Sequence, residues 1–129
     1  RELRGAAMDG YDVRVGDARE LPWADDSFDL IVCYRFLSSI ISLGDQRIVL
    51  KELARVCAGS ALLDIAIRDA DAPARKRPPK ESERSGVELS EAEVVAMLNE
   101  AGFEVERIER QYQWLDVAHR CAVVCRVAG

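Results

Sequence analysis

Phe28-Asp29-Leu30-Ile31-Val32-Cys33 and, further on, Ser60-Ala61-Leu62-Leu63-Asp64-Ile65-Ala66-Ile67 decide the fold. Both are short and nearly all apolar, and such continuity marks a strand covered on both faces. Between them Asp45 is placed to cap a helix through Val56, with Val49, Leu53 and Val56 or Leu50, Ala54 and Cys57 at helical spacing. Gly59 stands where a left-handed helix stop is wanted. Strand, helix and strand in that order predict a parallel pair joined by a crossover helix in a buried sheet.

Towards the amino end, Tyr11, Val13 and Val15 alternate with Asp12 and Arg14, which predicts a half-covered strand ended by Gly16-Asp17. A loop follows through Leu21-Pro22-Trp23 and the acidic turn Asp25-Asp26-Ser27. In the other direction, Arg68 to Gly86 holds three of the four prolines and the cluster Arg75-Lys76-Arg77-Pro78-Pro79-Lys80, the composition of a surface loop. Ser90 and Glu93 form an S-x-x-E capping box ahead of Val94, Val95, Met97 and Leu98, and Gly102 closes that helix. Phe103 to Arg110 and Cys121 to Val127 then read as an antiparallel pair at a sheet edge.

A chain of 129 residues, 49% of them hydrophobic, suits one compact domain. Its net charge of -5 argues against holding nucleic acid or an anionic membrane by bulk electrostatics, which needs a cationic face. With no apolar run of membrane-spanning length and no signal-like start, a soluble cytoplasmic protein is the expectation. Cys33, Cys57, Cys121 and Cys125 lie in or beside apolar runs, as buried reduced thiols do. No metal is assigned: Cys121 and Cys125 form the one close pair, on one face of a strand, and His119 reads as a packing or edge residue.

One longer segment carries a family resemblance. Val15-Gly16-Asp17-Ala18-Arg19-Glu20-Leu21-Pro22-Trp23-Ala24-Asp25-Asp26-Ser27-Phe28-Asp29-Leu30-Ile31-Val32 resembles the "GDAxxLPF…DxSFDxV" stretch of class I S-adenosylmethionine (SAM)-dependent methyltransferases similar to the ubiquinone and menaquinone biosynthesis enzymes. Leu53-Ala54-Arg55-Val56 is similar to that family's "ExxRVLxPGG" helix end, and Ala101-Gly102-Phe103 continues the likeness. The resemblance implies an α/β, Rossmann-like sheet, mostly parallel with an antiparallel C-terminal strand, and methyl transfer from SAM to a small-molecule acceptor. It implies that Asp17 accepts a hydrogen bond from the adenine amino group while the backbone at Ala18 meets the ring. It also implies that Cys33 and Tyr34 run past the methionine part of the cofactor, with Arg35 and Ser38 towards the substrate. Relatives often carry a histidine near Ser38 or Ser39, and its absence here leaves the catalytic residues unassigned. The loop Arg75 to Lys80 falls where the family has a variable substrate-covering segment, and it reads either as a solvated loop or as an anionic-substrate clamp.

The same likeness shows which parts to expect missing. The family's first strand ends in a GxGxG-like turn and its second in an acid that binds the ribose, whereas the eight glycines here are never two apart. The expectation is therefore residues 1–129 as the C-terminal portion of a single methyltransferase domain, lacking the first two strands. A missing N-terminal segment or a partner chain would complete the sheet. The alternative expectation is a catalytically inactive remnant that serves as a binding or scaffolding module.

Overall fold

The computed structural model describes residues 10–40, 42–72, 89–114 and 118–128, with Ser38 and Trp114 described by their backbone alone. The basic cluster Arg75 to Lys80 lies outside the described residues. Four strands and two longer helices follow one another as β1 (Phe28–Cys33), a one-turn 3-10 helix (Leu37–Ser39), α1 (Leu43–Val56), β2 (Cys57–Arg68), α2 (Glu91–Ala101), β3 (Phe103–Trp114) and β4 (Ala118–Val127). The sheet order is β1-β2-β4-β3. β1 and β2 are parallel, with Cys33 opposite Leu63, as the strand-helix-strand reading requires. The closing strands are antiparallel to each other, and β4 inserts between β2 and β3.

One face of this mixed sheet carries the core. Ala61, Leu63, Ile65 and Ile67 of β2 and Cys121, Val123 and Cys125 of β4 alternate onto it, where they meet Val49, Leu50 and Ala54 of α1 and Val94, Met97 and Leu98 of α2. All four cysteines are free thiols. The two helices also touch: a Cβ at Gly102 would stand 3.5 Å from Ala54, and Arg47 reaches Glu100 at 3.5 Å. Gly102 has φ 113°, the left-handed stop expected of it, and the Ser90–Glu93 capping box is complete on both sides.

Four expectations are corrected. Tyr11 to Gly16 forms no strand, and Tyr11 and Val15 are exposed. Alternation makes a strand only where a neighbour offers backbone partners, and β1 is the sheet edge nearest in sequence with no partner strand on its outer side among the described residues. Secondly, β1 is covered on one face rather than two, so Leu30 and Val32 stand 62% and 60% exposed. Thirdly, Ser42 rather than Asp45 caps α1: its hydroxyl accepts the Asp45 N–H at 3.3 Å, and Asp45 sits in the first turn, where a carboxylate complements the helix dipole.

The fourth concerns Gly59. α1 passes into β2 through Cys57 in an extended conformation, so no left-handed stop is used there. Gly59 is instead required by proximity: a Cβ on it would lie 2.4 Å from the carbonyl oxygen of Asp29, where the β1–β2 register shifts between Phe28 and Leu30. Gly59→Ala is expected to push the strands apart and to lower stability by about 2 kcal/mol, the usual scale of overpacking. Urea denaturation checks this, and an unchanged midpoint would show that the two backbones are not in close approach.

Candidate functional site

Ligands of sheets with parallel strands gather at the carboxyl ends of those strands, so the segments leaving β1 and β2 and the turn lodged beside α1 frame the site. Side chains of α1 fix the course of the segment before β1. Arg19 meets Asp45 in the first turn of α1 at 3.6 Å, the Leu21 N–H donates to Glu52 Oε1 at 2.8 Å, and Arg55 donates to the Leu21 and Trp23 carbonyls and to Asp25. The chain therefore runs along α1 from its beginning to its end before entering β1. Arg55 is anchored by Glu52 at 2.6 Å, and that bond holds the Glu52 carboxyl below its ordinary range.

Asp17 sits on this segment in a tight turn closed by the Glu20 N–H on the Asp17 carbonyl at 2.9 Å. Its exposed carboxylate accepts the Arg19 backbone N–H at 2.9 Å and the Arg19 guanidinium at 2.7 Å. The guanidinium bond first, and the backbone bond second, hold the Asp17 carboxyl down to about 2. Beside it, Ala18 is half-buried against the core. Asp17, Arg19, Leu21, Trp23, Glu52 and Arg55 line an open hollow of about 750 Å³.

A second group forms where β1 ends. Cys33 and Tyr34 line a small hollow of about 150 Å³ with Asp64, Leu62, Gln111 and Ala122. Burial, then the charge of Asp64, pushes the Cys33 thiol up to about 11, so it is a neutral group and no nucleophile. Arg35 turns the chain with φ 56°, and its N–H donates to Asp64 Oδ2 at 2.9 Å. The same oxygen accepts Arg120 Nη2 at 2.5 Å in a pair whose side chains are only 10% and 3% exposed. Ser38 lies in the 3-10 turn that comes next.

Cys33, Tyr34 and Arg35 thus come together around Asp64, while Asp17 lines a different hollow and Ala18 beside it packs against the core. Asp64 and Arg120 escaped the sequence reading. A lone carboxylate inside Ala61 to Ile67 and an arginine directly before the last apolar run were the signal, because a charge buried in a strand needs a partner. A third cluster was missed as well: the Asp69 carboxylate, just past β2, receives His119 Nδ1 at 2.7 Å and has Arg110 at 3.9 Å.

The donor set can be tested against a dinucleotide-like ligand. A carboxylate offers about four lone-pair positions, and one beside a backbone N–H can read an adenine edge, which presents an amino donor next to a ring acceptor. Asp17 and Ala18 meet that requirement, with no partner for the Ala18 N–H among the described residues. No pair of glycines two apart occurs in a turn among the described residues. The fit is to the adenine half of such a ligand.

A parallel pair with its crossover helix, closed by an antiparallel strand pair, defines an α/β domain with a Rossmann-like sheet. Residues 2–63 match the model of the methyltransferase domain family. That match takes in just under half of the chain, and the likeness of the whole is one of fold. A SAM-dependent methyltransferase from Methanosarcina mazei superposes with a TM-score of 0.62 at 20% identity, covering 89% of this chain and 66% of its own. The [4+2]-cyclase SpnF gives 0.68 at 14%, covering 92% and 56%. The 1,6-didemethyltoxoflavin-N1-methyltransferase of Burkholderia thailandensis, solved with its substrate and S-adenosylhomocysteine, gives 0.62 at 18%, covering 87% and 48%. The chain spans less than two thirds of the length of each. No curated protein matches it in sequence.

Proposed function

We propose that residues 1–129 are the C-terminal portion of one SAM-dependent methyltransferase domain, contributing to transfer of a methyl group from SAM to a small-molecule acceptor. Asp17 and Ala18 read the adenine, Cys33 and Tyr34 flank the methionine side, and Arg35 and Ser38 belong to the stretch on the acceptor side. The observation that carries this reading is the Asp17 turn, which lies inside the family-matched segment and is fixed to α1 through Arg19 and Leu21. Methyl transfer from a sulfonium is an in-line displacement governed by alignment, so the chain's part is to position and to exclude water. The remaining cofactor contacts come from a further segment or a partner chain added beyond β1, whose outer edge and apolar Leu30 and Val32 are open. No described helix is long and apolar enough to cross a membrane, and a cytoplasmic location without nucleic-acid or membrane partners is part of the proposal.

A second reading, a binding or scaffolding module without catalysis, is favoured by the glycine spacing, which provides no close-approach turn. Calorimetric titration with S-adenosylhomocysteine separates the two. Binding that Asp17→Ala removes supports the methyltransferase site, and a folded chain that does not bind supports the module.

A further inference from the structure

β1 is an edge of the sheet, and among the described residues no strand lies on its outer side. Edge strands that stay unpaired are commonly protected by a lysine, a proline or a bulge. Phe28–Cys33 holds no lysine and no proline, and its one charge is Asp29. The register shift against β2 does not bend it either: Phe28 and Leu30 pair with Cys57 and Ser60, so the extra residue belongs to β2. β1 therefore keeps a regular alternation. Ile31 and Cys33 pack against the core, whereas Phe28, Leu30, Val32 and the next in the series, Tyr34, are 36%, 62%, 60% and 65% exposed. Leu62, which pairs with Val32, continues this apolar strip onto β2.

Strand register decides what fits such an edge. Opposite residues of an antiparallel pair share a face, so two copies of one strand related by a two-fold axis meet in registers centred on a residue. Centring on Ile31 sets Leu30 opposite the partner's Val32 and Phe28 opposite the partner's Tyr34, each pair occurring twice. From Phe28 to Tyr34 the side chains read aromatic, Asp, aliphatic, Ile, aliphatic, Cys, aromatic, which is nearly a palindrome of character. Centring on Asp29 would oppose two carboxylates, and centring on Leu30 would set Tyr34 against the partner's Asp26. Charge favours the Ile31 register as well, because it brings the exposed Arg35 of each copy to the acidic turn Asp25-Asp26-Ser27 of the other.

We propose that the chain forms a two-fold dimer through β1, joining two four-stranded sheets into one of eight strands. The occupant is a second copy because the edge is complementary to itself in both apolar pattern and charge. The inference goes beyond methyl transfer and applies equally to a module without catalysis. One strand and its flanking side chains make a small interface, below about 1,200 Å² in total, so dissociation in the micromolar range is expected.

Sedimentation equilibrium of the 129-residue chain, from low to several hundred micromolar, is the test. The mass should rise with concentration from that of one chain towards twice that value. Val32→Lys sets an ammonium opposite the partner's Leu30 twice per dimer and should weaken association by at least about tenfold. It should keep the melting temperature, because Val32 is already exposed in the single chain. Ile48→Lys, at an exposed apolar position of α1, should leave association unchanged. Disulfides read the register: oxidising a mixture of Leu30→Cys and Val32→Cys chains should join unlike chains in clear excess over like ones, since like positions lie diagonally, about 7–8 Å apart. A wild type that stays monomeric overturns the proposal, and slow exchange of the β1 amides in that monomer would show that the chain covers its own edge. So does a dimer indifferent to Val32→Lys, or cross-linking with no preference for unlike chains. None of these readouts involves S-adenosylhomocysteine, so their failure leaves the methyltransferase reading to the Asp17→Ala titration.

Discussion

Asp17→Ala is expected to weaken S-adenosylhomocysteine binding by about ten- to a hundred-fold, the worth of one hydrogen bond to a charged acceptor. The adenine amino group donates and the carboxylate accepts, so Asp17→Asn should lose nearly as much by offering one acceptor oxygen and a competing N–H₂. The pH dependence is set by the guanidinium of Arg19. Because the folded carboxyl is held at about 2, the charged form persists to the lower limit of practical titrations. A depressed carboxyl keeps its function above the folded value and loses it only as pH falls through that value, so binding should stay flat from neutrality to about pH 3. Arg19→Ala removes the first cause of the depression, and the acid edge should then rise towards the ordinary carboxylate range near about 4. The same substitution frees lone pairs on Asp17 and should not weaken binding at pH 7. Calorimetry of the three variants at two pH values decides the matter: a wild-type chain that binds, with Asp17→Ala binding equally well, would remove the adenine role of this turn.

How much of this was legible in the sequence depended on whether the deciding interaction was local. The capping box at Ser90 and Glu93, the stop at Gly102 and the apolar continuity of β1 and β2 are read within a few residues, and each is present. Tyr11 to Gly16 failed because alternation states a preference while a strand needs a neighbour. Gly59 is a required glycine for a reason its neighbours in sequence do not show, since its constraint is the Asp29 carbonyl of another strand. The same limit applies to the site. The turn at Asp17 is a contiguous motif, whereas Asp64 with Arg120 and Asp69 with His119 are partners separated by 56 and 50 positions. No spacing rule joins such residues; the antiparallel register of β2 and β4 does, placing Arg120 opposite Ala66 and His119 opposite Ile67.

Arg120→Ala is expected to lower the stability of the chain by about 3–5 kcal/mol, the cost of leaving a buried carboxylate without its counter-charge. A domain of this size holds only about 5–15 kcal/mol in total, so this variant should sit close to unfolding. The converse replacement of the whole pair, Asp64→Leu with Arg120→Met, should recover most of the loss, because two well-packed apolar side chains avoid the desolvation of both charges. Recovery should be incomplete for a specific reason. Asp64 Oδ2 also accepts the Arg35 N–H at 2.9 Å, and no leucine replaces that bond. The double variant should therefore keep a folded sheet while the turn at Arg35, with φ 56°, loses its tether and exchanges its amide proton faster. Urea denaturation measures the first effect and hydrogen exchange at Arg35 the second. A loss below about 1 kcal/mol for Arg120→Ala would mean that the pair is solvated, since exposed ion pairs are worth no more than that. If the stability loss is large and the Arg35 amide is released only when Asp64 is changed, the ion pair serves two ends: Arg120 neutralises Asp64 in the sheet, and Asp64 in turn sets the turn that leads from β1 towards Ser38.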